Sequence, residues 1–206
     1  MMNPALRTTT HVSRSSRHGF TLIELLVVMG IIAILTGVMF PAVHTIMVQV
    51  KERKTEHVAL NLRNAINSYF TEYRRLPYDI SAHTGDTILL QSDEQLMNIL
   101  CGMDTAAGEG GLNPARNVYF SDRTAKTMGE GRYHSGQRID GDGNAYLYDP
   151  WGEFYQVMLD GDNNGRVDKP AWDKDSASHE IASSILVWSM GPDKKAEGDN
   201  DNVKAW

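Results

Sequence analysis

The sequence predicts an α+β fold in which one long N-terminal helix packs on a small antiparallel β-sheet. Three features support this prediction: an uncharged, mostly apolar run over residues 25–43, a one-sided apolar pattern over residues 44–76, and short strand-like runs near the C-terminus. The first run is long enough to cross a bilayer. In the second segment, apolar residues recur at steps of three and four, which is typical of an amphipathic helix.

The chain therefore divides into four predicted segments. Residues 1–19 form a basic leader, residues 20–43 a transmembrane or filament-core helix, residues 44–76 the amphipathic half of the same helix, and residues 77–206 a globular domain of helix, loops and antiparallel sheet. Because basic flanks stay in the cytoplasm, the leader predicts a cytoplasmic N-terminus and an exported globular domain. On hydropathy alone, a signal anchor, a cleaved secretory signal and a buried helix are alternative interpretations.

Charge and cysteine content limit the classes of partner. The 206 residues carry a net charge of −6. Residues 140–206 hold fourteen Asp or Glu against six Lys or Arg, a net of −8. This acidic half argues against nucleic-acid binding, which needs a basic surface, and favours cation binding or simple solubility. Cys101 is the only cysteine, so no disulfide can form within one chain.

Local signals place further elements in the globular domain. The stretch Ser92-Asp93-Glu94-Gln95 predicts a capped short helix that ends at Gly102. Residues 117–120 are interpreted as one strand and residues 184–191 as another. The turn signal Asp149-Pro150-Trp151-Gly152 predicts a hairpin between the two apolar runs on either side of it.

The start of the apolar run carries a specific order of residues. Gly19 ends the basic leader, and Phe20-Thr21-Leu22-Ile23-Glu24 follows it. This order resembles the class III signal of type IV pilins and type II secretion pseudopilins, although His18 stands where Lys or Arg is more usual. The resemblance implies a pilin fold, cleavage between Gly19 and Phe20 by a prepilin peptidase, and N-methylation of Phe20.

Glu24 is the one acid in an otherwise apolar segment, where a lone carboxylate is strongly unfavourable. After the implied cleavage, Phe20 would carry a free α-amine, which is equally unfavourable alone in hydrocarbon. A pair between the two groups on neighbouring subunits would fix the register of assembly, because leaving either partner alone is costly. The alternative interpretation is an acid that reaches the lipid headgroups.

Two later stretches, DPWGEFYQV and ILVWSMGPDKKAEGDNDNVKAW, resemble the globular half of the major pseudopilin of type II secretion. In that family the C-terminal loop binds calcium. The resemblance implies Asp193, Asp199 and Asp201 as candidate ligands, with Ser189 or nearby carbonyl groups completing the shell. Residues 80–135 have no counterpart in the resemblance and are interpreted as an insertion between the helix and the sheet.

A second acidic loop is a separate calcium candidate. The stretch DGDNNGRVD places oxygen-bearing side chains at the positions used by an EF-hand loop, namely Asp160, Asp162, Asn164 and Asp168. Gly165 permits the sharp turn, but Ala171 stands where the bidentate glutamate of an EF-hand belongs. A solvated hairpin loop is the alternative interpretation, and residues 140–144 form a weaker third candidate.

The sequence contains no Walker A loop and no GxSxG, HExxH or CxxC motif, so an enzyme is not expected. The predicted function is that of a structural pseudopilin subunit in the inner membrane, which assembles into a filament for protein export. The resemblance implies as partners further copies of the chain, other pseudopilins, the prepilin peptidase, an inner-membrane platform with its ATPase, and membrane lipid. The alternatives are a type IV pilin for adhesion or DNA uptake, and a signal-anchored calcium-binding exported protein.

Overall fold

The computed structural model describes the backbone of residues 19–79, 85–104, 111–174, 178–195 and 201–206, and all of their side chains except those of residues 38–45. The chain divides into two compact units, Met1–Ile46 and Met47–Trp206. The predicted leader, apart from Gly19, lies outside the described residues.

Helix α1 spans Leu22–Tyr73, close to the ends that the sequence predicts. In the first unit its large apolar side chains are exposed, and Leu22 and Ile23 are 81% and 70% exposed. Within the described residues, no helix combines the length and the hydropathy that a membrane crossing requires. The predicted span over residues 20–43 includes residues 38–43, whose side chains lie outside the described part.

The second unit contains the predicted short helix and a set of short strands. Helix α2 spans Glu94–Leu100, and the carboxylate of Asp93 caps it by accepting the amides of Gln95 and Leu96. The strands are β1 (Thr87–Gln91), β2 (Lys126–Gly129), β3 (Arg132–His134), β4 (Gly136–Ile139), β5 (Ala145–Tyr148), β6 (Gln156–Asp160), β7 (Val167–Asp168), β8 (Glu180–Ile181), β9 (Ile185–Ser189) and β10 (Val203–Lys204). The chain is therefore α+β, as predicted.

All sheets in the described residues are small and antiparallel. The largest has the strand order β1-β6-β9-β10, and the pairs β2-β3, β4-β5 and β7-β8 form two-stranded sheets. Strand β9 confirms the strand predicted over residues 184–191.

The core of the second unit combines side chains from helices and strands. One buried cluster contains Leu62, Ile66 and Tyr69 of α1 together with residues of α2, β1, β5, β6 and β9. The α1 members recur at steps of three and four, so one face of this part of the helix is buried. A second, smaller cluster is built around Val167, Leu186 and Trp188.

The predicted hairpin around residues 149–152 forms only next to the turn, where Tyr148 and Phe154 make a single antiparallel bridge, and it does not continue into strands β5 and β6. Strand β5 pairs with β4, and β6 pairs with β1 and β9, so the two runs belong to different sheets. The physical reason is Ser92, whose hydroxyl donates to the Leu147 carbonyl (2.7 Å) and accepts the Tyr155 amide (2.8 Å). The Ser92 backbone also bonds both residues, so it takes the hydrogen bonds that a hairpin would need.

Two further predictions about the middle of the chain are wrong. Residues 117–120 form no strand, because the amides of Tyr119 and Phe120 both donate to the Leu100 carbonyl and so complete the end of α2. Residues 80–135 are also more than an insertion. They supply β1 to the largest sheet and α2 to the core, and both elements are needed to bury the first cluster.

Replacing Ser92 with Ala should destabilise the second unit by about 1–3 kcal/mol, because the Leu147 carbonyl and the Tyr155 amide each lose a buried hydrogen-bond partner. Unfolding of the detergent-solubilised chain can be followed by tryptophan fluorescence, since all four tryptophans lie in this unit. The exposed Ser121→Ala is the matched control and should unfold like the unmodified chain. Equal stability of the two variants would show that Ser92 is not the joint between the sheets.

Candidate functional site

The first turn of α1 is closed by a reciprocal contact between Thr21 and Glu24. The Thr21 amide and hydroxyl donate to Glu24 Oε2 at 3.1 and 3.0 Å. In return, the Glu24 amide donates to the Thr21 hydroxyl at 3.2 Å. This is a capping box, in which side chains satisfy amides that have no partner inside the helix. A carboxylate here also interacts favourably with the positive end of the helix dipole.

Gly19 and Phe20 lie just before the helix, and both are exposed. Among the described residues, no atom lies within 4 Å of a Cβ atom added to Gly19. The fold of this chain therefore does not itself require glycine at position 19. A requirement for glycine would instead come from a partner that binds this segment, such as an enzyme that cuts it.

Glu24 is exposed, and the described hydrogen bonds to its carboxylate all come from Thr21 and use Oε2. Capping thus gives Glu24 a role inside its own chain that the sequence prediction did not include. The signal for this role was visible as the spacing Thr-x-x-Glu at the start of an apolar run. The same carboxylate can serve both roles, since a carboxylate has two oxygens and about four acceptor positions.

A second constellation ties the Asp-Pro-Trp-Gly turn to the end of β9. The buried Asp149 carboxylate accepts the Ser189 hydroxyl at 2.6 Å through one oxygen. Its other oxygen accepts the amides of Trp151 and Glu153, both at 2.9 Å. Burial raises the pKa of Asp149, while the hydrogen bond from Ser189 and those from the turn amides act in the opposite direction.

Ser189 is one of the predicted calcium ligands, and the structure places it at the end of β9, beside the Asp149 carboxylate. Its hydroxyl donates to Asp149 and accepts the Gly191 amide at 3.1 Å, so the protein's own groups already engage it. Sequence reasoning treated Asp149 only as part of a turn signal. An aspartate before proline commonly accepts amides of the following turn, and this pattern could have identified it as a structural acceptor.

The C-terminal loop brings two of the predicted ligands together. The Asp193 amide donates to Asp201 Oδ2 at 3.2 Å, and Gly191, with φ of +71°, lies against the Asp201 backbone. The other oxygen of Asp201, Oδ1, is buried and makes no hydrogen bond to any residue that the structure describes. A buried carboxylate oxygen without a partner is the kind of group that a cation satisfies. Asp199 lies outside the described residues.

The EF-hand-like loop is closed by its own amides. Asp160 accepts the amides of Asn164 (3.2 Å) and Gly165 (2.7 Å), while Asp162 accepts the Asn164 amide and Asn164 accepts the Arg166 amide. Asp168 lies in β7, where its amide donates to Thr87. In the part of the chain that the structure describes, no three His, Cys, Asp or Glu side chains are grouped as metal ligands. This loop fits a cation less well than the C-terminal loop does.

The comparisons with known proteins bear on the N-terminal site. The family model of the prokaryotic N-terminal methylation motif matches residues 14–40, which include Gly19, Phe20 and Glu24. No curated protein and no solved structure matches the chain. The chain thus carries the class III signal that directs processing by a prepilin peptidase, consistent with a type IV pilin-like protein.

Proposed function

We propose that this protein is a pseudopilin, a structural subunit that is held in the inner membrane and assembles into a type II secretion pseudopilus-like filament for protein export. The observation that carries this proposal is the methylation motif, which matches residues 14–40. Glu24 lies within the match and in the first turn of α1. In this proposal the prepilin peptidase cuts after Gly19 and methylates Phe20. The subunit itself catalyses no reaction.

The apolar surface at the start of α1 supports a role in membrane and filament. Phe20, Leu22 and Ile23 are each at least 70% exposed, and the exposed apolar side chains continue to Leu35. A continuous apolar surface of this kind needs a partner that excludes water. In the proposal, lipid covers it before assembly and the helices of neighbouring subunits cover it in the filament. An inner-membrane platform and its ATPase would supply the work of extraction from lipid.

Glu24 would set the register between subunits. The capping box holds its carboxylate at the N-terminal end of α1, the same end at which cleavage would leave the Phe20 amine. Pairing across subunits is favoured because either charge alone in an apolar surrounding is costly. Other pseudopilins with the same N-terminal residues would dock by the same contact.

The presence of a single cysteine, Cys101, favours a pseudopilin over a pilin that closes its C-terminal loop with a disulfide. Cys101 is buried, and the side chain of Gln137 donates to its sulfur at 3.1 Å. Burial raises the pKa of the Cys101 thiol to about 12, which lowers its reactivity. A type IV pilin for adhesion or DNA uptake is the alternative, and it shares the same N-terminal processing.

Calcium binding at the C-terminal loop is a further part of this proposal. Its support is the buried, unpartnered Oδ1 of Asp201 beside Asp193, in a chain that has no disulfide to fix the loop. Asp193, Asp199 and Asp201 would hold the ion through their carboxylates, with nearby carbonyl groups completing an oxygen shell. The ion would neutralise the repulsion among these acids and fasten the loop to the end of β9.

Processing gives the first test of the proposal. The mature protein isolated from membranes should begin at N-methylated Phe20, and mass spectrometry of its N-terminal peptide would show this. Gly19→Leu should leave the full-length precursor in the membrane with its fold unchanged, because no atom of the described residues crowds position 19. An intact leader on assembled protein, or a cut beyond residue 43, would contradict the proposal.

Assembly gives the second test, with variants that separate charge from capping. Glu24→Gln keeps the capping box but loses the charge, whereas Thr21→Val keeps the charge but loses the cap. If Glu24 pairs with an amine, then Glu24→Gln and Glu24→Leu should both reduce filament yield sharply while membrane insertion persists. Thr21→Val should cost only the stability of a helix cap, about 1 kcal/mol, and assemble better than either. Normal filaments from Glu24→Leu would refute the register argument.

Calcium gives the third test. A ligand present at a hundredfold excess over its Kd stabilises the folded state by about 2.7 kcal/mol, so the intact chain should unfold several degrees higher in calcium than in chelator. Magnesium should substitute poorly because it demands a tighter octahedral shell. Replacing Asp199 and Asp201 with Asn should abolish the shift, whereas the same change at Asp160 and Asp162 should preserve it. The reverse pattern would assign the ion to the EF-hand-like loop, and no shift at all would exclude both.

A further inference from the structure

The loop that joins β6 to β7 contains the only Asn-Gly dipeptide of the sequence, Asn164-Gly165. In such a pair the backbone nitrogen of the glycine can attack the side-chain carbonyl carbon of the asparagine, because glycine has no Cβ atom to obstruct the approach. Gly165 has φ of +79°, a conformation that favours glycine, so the turn itself calls for the residue that makes the pair reactive. The loop is exposed from Asp162 to Arg166.

The reaction open to this pair is deamidation, and it needs only water. A bond forms between the Gly165 nitrogen and Asn164 Cγ, and the Gly165 nitrogen gives its proton to water or hydroxide. The bond from Cγ to Nδ2 breaks, and Nδ2 takes up a proton from water and leaves as ammonia. Water then opens the resulting cyclic imide at either carbonyl group. The product at position 164 is an aspartate or an isoaspartate.

The closed loop holds the reacting groups of Asn164-Gly165 in hydrogen bonds. The Gly165 amide donates to Asp160 Oδ2 at 2.7 Å. Asn164 Oδ1 accepts the Arg166 amide at 2.7 Å, and Asn164 Nδ2 donates to Asp162 Oδ2 at 2.9 Å. The attacking nitrogen, the carbonyl oxygen and the leaving nitrogen are therefore all engaged before any reaction begins.

These hydrogen bonds oppose the reaction for two physical reasons. The Asn164 side chain is held through both its oxygen and its nitrogen, so it cannot turn freely to present Cγ to the Gly165 nitrogen. The attack also places negative charge on the Gly165 nitrogen and then on the side-chain oxygen. The carboxylates of Asp160 and Asp162 already lie at hydrogen-bond distance from the attacking and leaving nitrogens, and like charges close together cost free energy.

The loop can open without unfolding the sheet beside it. The hydrogen bonds that hold the reacting groups join residues at most five positions apart. The pairing of β6 with β1 and β9 is made by other residues, Gln156–Asp160. Exposed segments that are held by local bonds open at a lower free energy than the core does. Opening of this loop is therefore an event distinct from unfolding of the second unit.

We propose that Asn164-Gly165 is a latent deamidation site, which the closed loop protects and which reacts when the loop opens. The change is permanent, because neither product restores the original bonds. An aspartate has no side-chain N–H to donate to Asp162 and brings a third carboxylate beside Asp160. An isoaspartate adds a methylene group to the backbone of the turn. A converted chain thus keeps a covalent record that its loop has opened, whether or not it has assembled into a filament.

The rate of conversion in the intact chain tests the protection. The detergent-solubilised chain and the same chain unfolded in guanidinium chloride are incubated at one pH and temperature, and mass spectrometry measures the conversion in the peptide that contains Asn164. The folded chain should convert at least about tenfold more slowly, which corresponds to a loop that is open less than about a tenth of the time. Equal rates, or a faster reaction in the folded chain, would overturn the proposal.

Two variants separate opening of the loop from unfolding of the whole unit. Asp162→Ala removes the acceptor of Asn164 Nδ2 at an exposed position, so the fold should persist and conversion should become several-fold faster. Ser92→Ala destabilises the unit through bonds to Leu147 and Tyr155, at the opposite end of β6, so conversion should stay close to that of the unmodified chain. Acceleration by Ser92→Ala but not by Asp162→Ala would show that global unfolding controls the reaction, and the proposal would be wrong.

Two control variants fix the assignment to this pair. Asp168→Ala removes an exposed carboxylate from the same segment, and the described hydrogen bond of Asp168 uses its amide, so conversion should match that of the unmodified chain. Asn164→Gln lengthens the side chain, which makes ring closure with the Gly165 nitrogen less favourable, so the mass change should disappear. A mass change that persists in Asn164→Gln would place the modification at another residue and refute the assignment.

Discussion

The globular unit depends on the buried Ser92, which stands between β5 and β6 and bonds the backbone of both. Because its hydroxyl and its peptide groups satisfy Leu147 and Tyr155, the two strands cannot pair with each other along their length. Strand β6 is left to join β1 and β9, and β5 is left to join β4. Ser92 thus separates β5 from β6 at the point where each strand joins its own sheet.

Asp149 fixes the turn that connects β5 to β6. Its carboxylate holds two turn amides and the Ser189 hydroxyl, so the chain between β5 and β6 is fastened to the end of β9. A buried carboxylate is tolerated there because it accepts several hydrogen bonds, and removing them would leave its charge unsatisfied. The C-terminal loop starts from the same joint, which is why Asp193 and Asp201 meet close to it.

In the N-terminal unit the main constraint is different: the Glu24 carboxylate lies in an otherwise apolar part of α1. The capping box shows how a single chain satisfies this group before any partner arrives: Glu24 stabilises the first turn of its own helix. That local role does not account for the long exposed apolar surface beside it. The observed capping and the proposed subunit pairing are therefore compatible roles for Glu24, and they differ in whether the negative charge is required.

The sequence by itself determined the parts that depend on short-range order: the extent of α1, the cap of α2 at Asp93, strand β9 and the methylation motif at residues 14–40. Each of these features is signalled by residues that are close together in the sequence: an apolar periodicity, a capping residue or a contiguous motif. Only the tertiary structure decided that β5 and β6 join different sheets and that residues 117–120 complete α2. These outcomes depend on hydrogen-bond partners far away in the chain, such as Ser92 for Tyr155, and no local pattern specifies which distant group will satisfy a given amide.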